Sequence, residues 1–186
     1  MNKRLATLTA ALGLSALSFA AAQTSGTTPA ATPTINPAAI APRDPAVMPG
    51  QTAEQYLATA RELAAQAAVA YPVPYVDKPL WYDAIQNAAA ARNADRANME
   101  AARFLAELYT TTQWWFMALV TWREVATMGA LDADANRMAA MAAAKVGYIR
   151  LERGLANEAV PFFQESLRFQ ANPEVQALLA RAQGTR

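Results

Sequence analysis

The chain contains no cysteine and no histidine. Without cysteine there are no disulfides, no thiolate metal sites and no lipid-bearing N-terminal cysteine. Without histidine, every catalytic scheme built on an imidazole falls away. β-Branched residues are few outside the N-terminal third, and no stretch shows the alternation of a strand. What is abundant is alanine, about a quarter of the 186 residues. Alanine loses no side-chain entropy on entering a helix, so the composition points to an all-α protein. The length suits one domain, or one domain with a tail.

The first residues, Met1-Asn2-Lys3-Arg4, are basic, and an apolar run follows from Leu5 to Ala22. A basic start, an apolar run and then the small residues Ala20-Ala21-Ala22 read as a secretory signal peptide, residues 1–22, with cleavage after Ala22 or Ala20. The expected product is exported, to the periplasm, cell envelope or exterior, with no membrane span in the mature chain. Removal of Lys3 and Arg4 leaves 14 basic against 15 acidic residues. The signs are interspersed and form no basic face, which argues against nucleic acid as a partner. Residues 23–50 are rich in Thr, Ala and Pro, with prolines at 29, 33, 37, 42, 45 and 49. Proline removes a donor and biases its predecessor away from helix, so this segment reads as a disordered or extended linker.

From Gln51 to the C-terminus at Arg186 the pattern turns helical. Thr52 can cap a first helix that ends before Pro72, and a second opens at Asp77 or Lys78 with Pro79 in its first turn. A third, with Asp95 as cap, carries Met99, Ala102, Leu105, Ala106 and Tyr109 on one face. A fourth carries Trp115, Ala118, Leu119, Trp122 and Val125. A fifth is expected over about 134–152, running into a turn at Gly154, and a sixth over about 156–169. Asn172-Pro173-Glu174 combines a cap, a first-turn proline and an acid at the positive end of the dipole, and opens a last helix.

The fourth and sixth helices match each other. Ala118-x-x-x-Trp122 and Ala159-x-x-x-Phe163 share chemistry and spacing, and Leu105-Ala106 precedes the first as Val146-Gly147 precedes the second. This two-helix unit resembles the tetratricopeptide repeat, W-x2-L-G-x2-Y, then A-x3-F, then P, over about 34 residues. In the earlier copy (about 99–132), Leu105, Ala106, Tyr109, Ala118 and Trp122 occupy family slots, with Ala102 in that of the tryptophan. In the later copy (about 140–173), Val146, Gly147, Gly154, Ala159, Phe163 and Ser166 fit, and Pro173 falls late. There Arg150 stands in the tyrosine slot and Ala143 in the tryptophan slot. The copies lie 41 residues apart, so either the fifth helix is lengthened or the loop at 129–135 expanded. A degenerate first copy fits at 53–92. The resemblance implies a right-handed α-α superhelix of helical hairpins, closed by the last helix as a cap.

The same resemblance implies a partner-binding groove lined by the first helix of each pair: Arg103, Glu107 and Thr110, then Lys145, Tyr148 and Glu152. Trp114-Trp115-Phe116 is a second candidate. Successive helical residues point about 100° apart, so the three cannot all enter one core. By the repeat register Trp115 packs inside, which leaves Trp114 and Phe116 as an aromatic contact for a partner or as packing against the preceding pair. Two apparent motifs fail. Asp132-Ala-Asp134-Ala-Asn136 starts like a calcium loop, but Arg137 replaces its glycine and Ala143 its bidentate glutamate. Glu165-Ser166 resembles the catalytic pair of exported lytic transglycosylases but lacks the glycine-rich sequence that should follow. No metal site or cofactor is expected. The function expected is an exported, non-enzymatic scaffold or adaptor that binds a protein or peptide. A structural subunit of an envelope assembly is the alternative, and a carboxylate-based glycan-cleaving enzyme a third. The oligomeric state is open.

Overall fold

Hydrogen-bonding side chains and prolines set the helix ends, and alanine faces set how closely the helices approach. The computed structural model describes residues 50–184. The expected signal peptide, 1–22, and all of the 23–50 linker except Gly50 lie outside the described residues. The chain divides into Met1–Ile40 and Ala41–Arg186, and every described residue belongs to the second unit. Among the described residues there are seven helices and no strand, as the composition predicts.

Helix α1 (Ala53–Ala70) opens with a capping box: Thr52 Oγ1 accepts the Gln55 N–H, and Gln55 Oε1 accepts the Thr52 N–H. It ends at Tyr71, before Pro72. Helix α2 (Pro79–Ala94) takes its proline in the first turn, where the missing N–H has no intrahelical partner in any case. Helix α3 (Met99–Thr111) starts later than the expected Asp95 cap. Asp95 Oδ1 instead accepts the Ala97 N–H in a preceding turn, and Asn98 is the cap, accepting from Ala101. Then come α4 (Trp115–Met128), α5 (Ala133–Glu152, capped by Asp132), α6 (Ala156–Phe169) and α7 (Pro173–Gly184). Asn172 Oδ1 accepts the Glu174 and Val175 N–H groups at the start of α7, as the Asn-Pro-Glu signal predicts.

The helices pack closest in the consecutive pairs α1–α2, α3–α4 and α5–α6, and each pair also touches the next. Odd-numbered helices meet along one side, α1 with α3, α3 with α5 and α5 with α7. The even-numbered α2, α4 and α6 have no such backbone contact with one another. Long side chains span their gaps: Arg92 of α2 grips Glu124 of α4, and Arg123 of α4 grips Glu165 of α6, each with two hydrogen bonds. One apolar core runs through α1 to α5 around Ile85, Leu119 and Trp122. A second, around Phe163, joins the end of α5 to α6 and α7.

An offset of 41 superposes α4 on α6 end to end, Trp115 on Ala156 and Met128 on Phe169. The turns before them also agree. After α3, the Gln113 N–H bonds to Thr110 O and the Trp114 N–H to Tyr109 O; after α5, Gly154 bonds to Leu151 O and Leu155 to Arg150 O. Both are Schellman turns with a left-handed residue at the centre, Gln113 at φ 61° and Gly154 at φ 77°. The extra residues in the 41-residue offset are helix rather than loop, since α3 has 13 residues and α5 has 20. At Gly147 the α5 backbone lies so close to α6 that an added Cβ would stand 2.9 Å from the Phe163 ring.

Candidate functional site

Of the six groove positions taken from the repeat resemblance, the structure brings two into a cavity. Lys145 and Tyr148 line an open groove of about 430 Å³ between α5 and α7. Arg137 and Met141 continue the same face of α5, at the four-residue spacing that keeps side chains on one side of a helix. Val175 and Leu178 form the α7 wall, and Ser166 and Gln170 of α6 contribute to the lining. Charge of both signs stands at the groove, because Lys145 and Glu174 make no ion pair among the described residues. Lys145 instead places its Nζ 5.8 Å from the centroid of the Trp115 ring.

The other four positions are engaged within the fold. Arg103 pairs with Glu107 on its own helix and with Asp132 at the start of α5. Glu152 pairs with Arg181 of α7 at 3.4 Å. Thr110 departs most from the expectation of an accessible groove residue: it is buried. Its hydroxyl donates to Ala106 O at 2.8 Å and accepts the Trp122 indole N–H at 2.9 Å. A buried indole N–H needs an acceptor, and Thr110 supplies it. In the later hairpin the corresponding residues are Leu151 and Phe163, an apolar pair that needs no such bond.

The aromatic triplet lies across the α3–α4 turn. Trp114 is half-buried, its ring edge-on to Tyr109 at 5.4 Å, the apolar contact that commonly accompanies a Schellman turn. Phe116 is 54% exposed. Trp115, expected inside, is only half-buried, with Lys145 beside its ring. The triplet forms one wall of a second pocket of about 300 Å³, and Ile149, Arg150 and Arg153 near the end of α5 form the other.

The side chains of the rejected motifs have structural partners. Asp132 caps α5 by accepting the Ala135 N–H at 2.8 Å. That bond, reinforced by Arg103, lowers the Asp132 pKa below the ordinary carboxylate value. Glu165 is buried in its two-bond grip with Arg123, whose own pKa the Glu165 hydrogen bonds raise against the opposing effect of burial. Ser166 donates to Ala140 O at 2.8 Å and so ties α6 to α5. Among the described residues no cluster of acidic side chains could hold a metal ion, and no helix is long and apolar enough to cross a membrane.

Met141 and Leu178 in the groove, and Ile149 and Arg153 in the pocket, were not singled out from the sequence. The spacing 137, 141, 145, 148 on α5 carries a signal for the first, because it marks one unbroken face. No family model matches the chain, and a comparison with curated proteins finds no similar sequence.

Proposed function

We propose that this protein is an exported, non-enzymatic docking protein of the tetratricopeptide-repeat type, a scaffold or adaptor that holds a segment of a protein partner in the groove between α5 and α7. The observation that carries the reading is the groove itself. It is apolar in its walls at Met141, Tyr148, Val175 and Leu178, and it carries a charge of each sign, Lys145 and Glu174, that makes no ion pair among the described residues. Apolar side chains with a few placed charges suit recognition of a peptide by burial plus orientation.

The repeat resemblance is supported by the matching turns after α3 and α5, by the register of α4 on α6, and by contacts along the odd-numbered helices. A right-handed superhelix with α7 as its cap is the architecture we assign on that basis. Export follows from the leader-like residues 1–22, which place the partner in the periplasm, envelope or exterior.

Quantitative affinity capture from an envelope fraction tests the proposal, comparing the wild-type protein with Tyr148→Ala and Lys145→Ala. One protein lost from both variants, with helicity unchanged, is the expected result. Substoichiometric recovery marks an adaptor, and a fixed ratio to the bait marks a structural subunit. Partners retained equally by both variants would end the groove reading.

A further inference from the structure

Two exposed patches on this domain each carry a charged side chain, Arg153 in one and Asp77 in the other, with no ion pair among the described residues. The first is the pocket between the α3–α4 turn and the end of α5. Its apolar wall includes Phe116, 54% exposed, and Ile149, 37% exposed. Its charged residues are Arg150 and Arg153, and no carboxylate lines it. Arg150 is shared with Glu158 at 3.1 Å, whereas Arg153 makes no ion pair among the described residues. Most arginines of the domain are held by acidic side chains, so an exposed, unpaired one beside an aromatic wall is out of keeping with the rest.

The second patch is the α1–α2 loop. Pro72 and Pro74 hold its backbone out of helix. It presents Val73 and Tyr75, each 46% exposed, and then Asp77, exposed and without an ion pair among the described residues. The Lys78 N–H bonds to Tyr75 O at 3.1 Å and closes the Tyr75–Lys78 end of the loop, and the two prolines restrict the backbone before it. A loop so restricted loses less conformational entropy on docking.

We propose that the pocket receives the Val73–Asp77 loop of a second copy of this chain, with Val73 or Tyr75 against Phe116 and Ile149 and Asp77 facing Arg153. The loop supplies what the pocket lacks, a carboxylate beside apolar side chains, although the half-buried Lys78 follows it at the start of α2, and the pocket supplies Arg153 beside an apolar wall. Opposite charges across the contact set its register and exclude like-charged alternatives. The assignment does not rest on the α5–α7 groove, and Tyr148→Ala leaves both patches intact, so the two readings fail separately.

Sedimentation velocity of the purified protein over a concentration series tests it, with Arg153→Asp and Asp77→Arg as charge swaps and Phe116→Ser as an apolar control. The wild-type protein is expected to gain mass with concentration. Each swap alone should weaken that association about tenfold or more. An equimolar mixture of the two swaps should restore it, since every loop then meets a pocket of opposite charge. Phe116→Ser should weaken it without rescue by either swap, and circular dichroism should show all variants folded. A wild-type protein that stays monomeric to about 1 mM would overturn the proposal. So would self-association that both swaps leave unchanged, or a mixture that stays monomeric. A monomer whose pocket instead binds acidic peptides of another protein would also overturn it, by giving the pocket a different occupant.

Discussion

Thr110 and Trp122 act as one unit, and the later hairpin shows what replaces them. Where α4 has an indole, α3 offers a hydroxyl; where α6 has Phe163, α5 offers Leu151. Thr110→Val should therefore destabilise the domain by about 1–3 kcal/mol, because it strands a buried donor. Thr110→Leu combined with Trp122→Phe should cost less than the sum of the singles, and a denaturation double-mutant cycle measures the difference. Gln113 invites the opposite test. It holds a left-handed conformation that glycine occupies at the matching turn, so Gln113→Gly should stabilise by about 1 kcal/mol, read as a rise in Tm. The sequence exposed Thr110 only as a position on a repeat template. Its burial depends on an indole twelve residues later, a relation that helical periodicity does not encode. Trp115 shows the same gap, since its register points inward but its position at the first turn of α4 leaves it at an edge.

Helix boundaries were the most legible feature, because they follow from local chemistry. Thr52 and Asn172 cap where their spacing predicts, and Pro72 and Gly154 lie where helices stop. Asp95 misled because Asn98 stands three residues on with equal capping power, and the intervening turn uses Asp95 for itself. Whether the longer spacing between hairpins was helix or loop was not legible, since alanine-rich sequence after Asp132 fits either. The close approach of α5 and α6 rests on the small residues Gly147, Ala159 and Ser166. Gly147→Ala should cost about 1–3 kcal/mol by pressing a methyl group on Phe163, and chemical denaturation would register it. The start of α5 carries a pH dependence. The folded-state pKa of Asp132 lies below its unfolded value, so the unfolded chain binds the proton more tightly. Its contribution is present above the unfolded carboxylate pKa, about 4, and is lost as pH falls through the lower folded value. Asp132→Asn should flatten the acid limb of the stability–pH curve, which denaturation at a series of pH values would show.

Across the domain the even-numbered helices are joined by arginine–carboxylate grips rather than by backbone contact, and Glu124 and Glu165 hold equivalent places in α4 and α6. Arg123→Ala leaves the Glu165 carboxylate, 11% exposed, without its cation. The expected loss is about 2 kcal/mol, below the ~3–5 of a fully buried pair because the Arg123 side chain stays in partial contact with water. The all-α class was legible from composition, and the groove was half legible. Lys145 and Tyr148 stand in the cavity, but the α7 wall opposite them depends on how the last helix folds back, which no local pattern specifies. The central claim is that this groove holds a partner, and site-specific photo-crosslinking tests it most directly. A crosslinker placed in turn at 141, 148 and 82 in the full chain, activated in the producing cells, reports what touches each position. The account predicts that 141 and 148 both capture one segment of one protein while Tyr82, exposed on α2, does not. Equal capture from 82, or different products from 141 and 148, would contradict it.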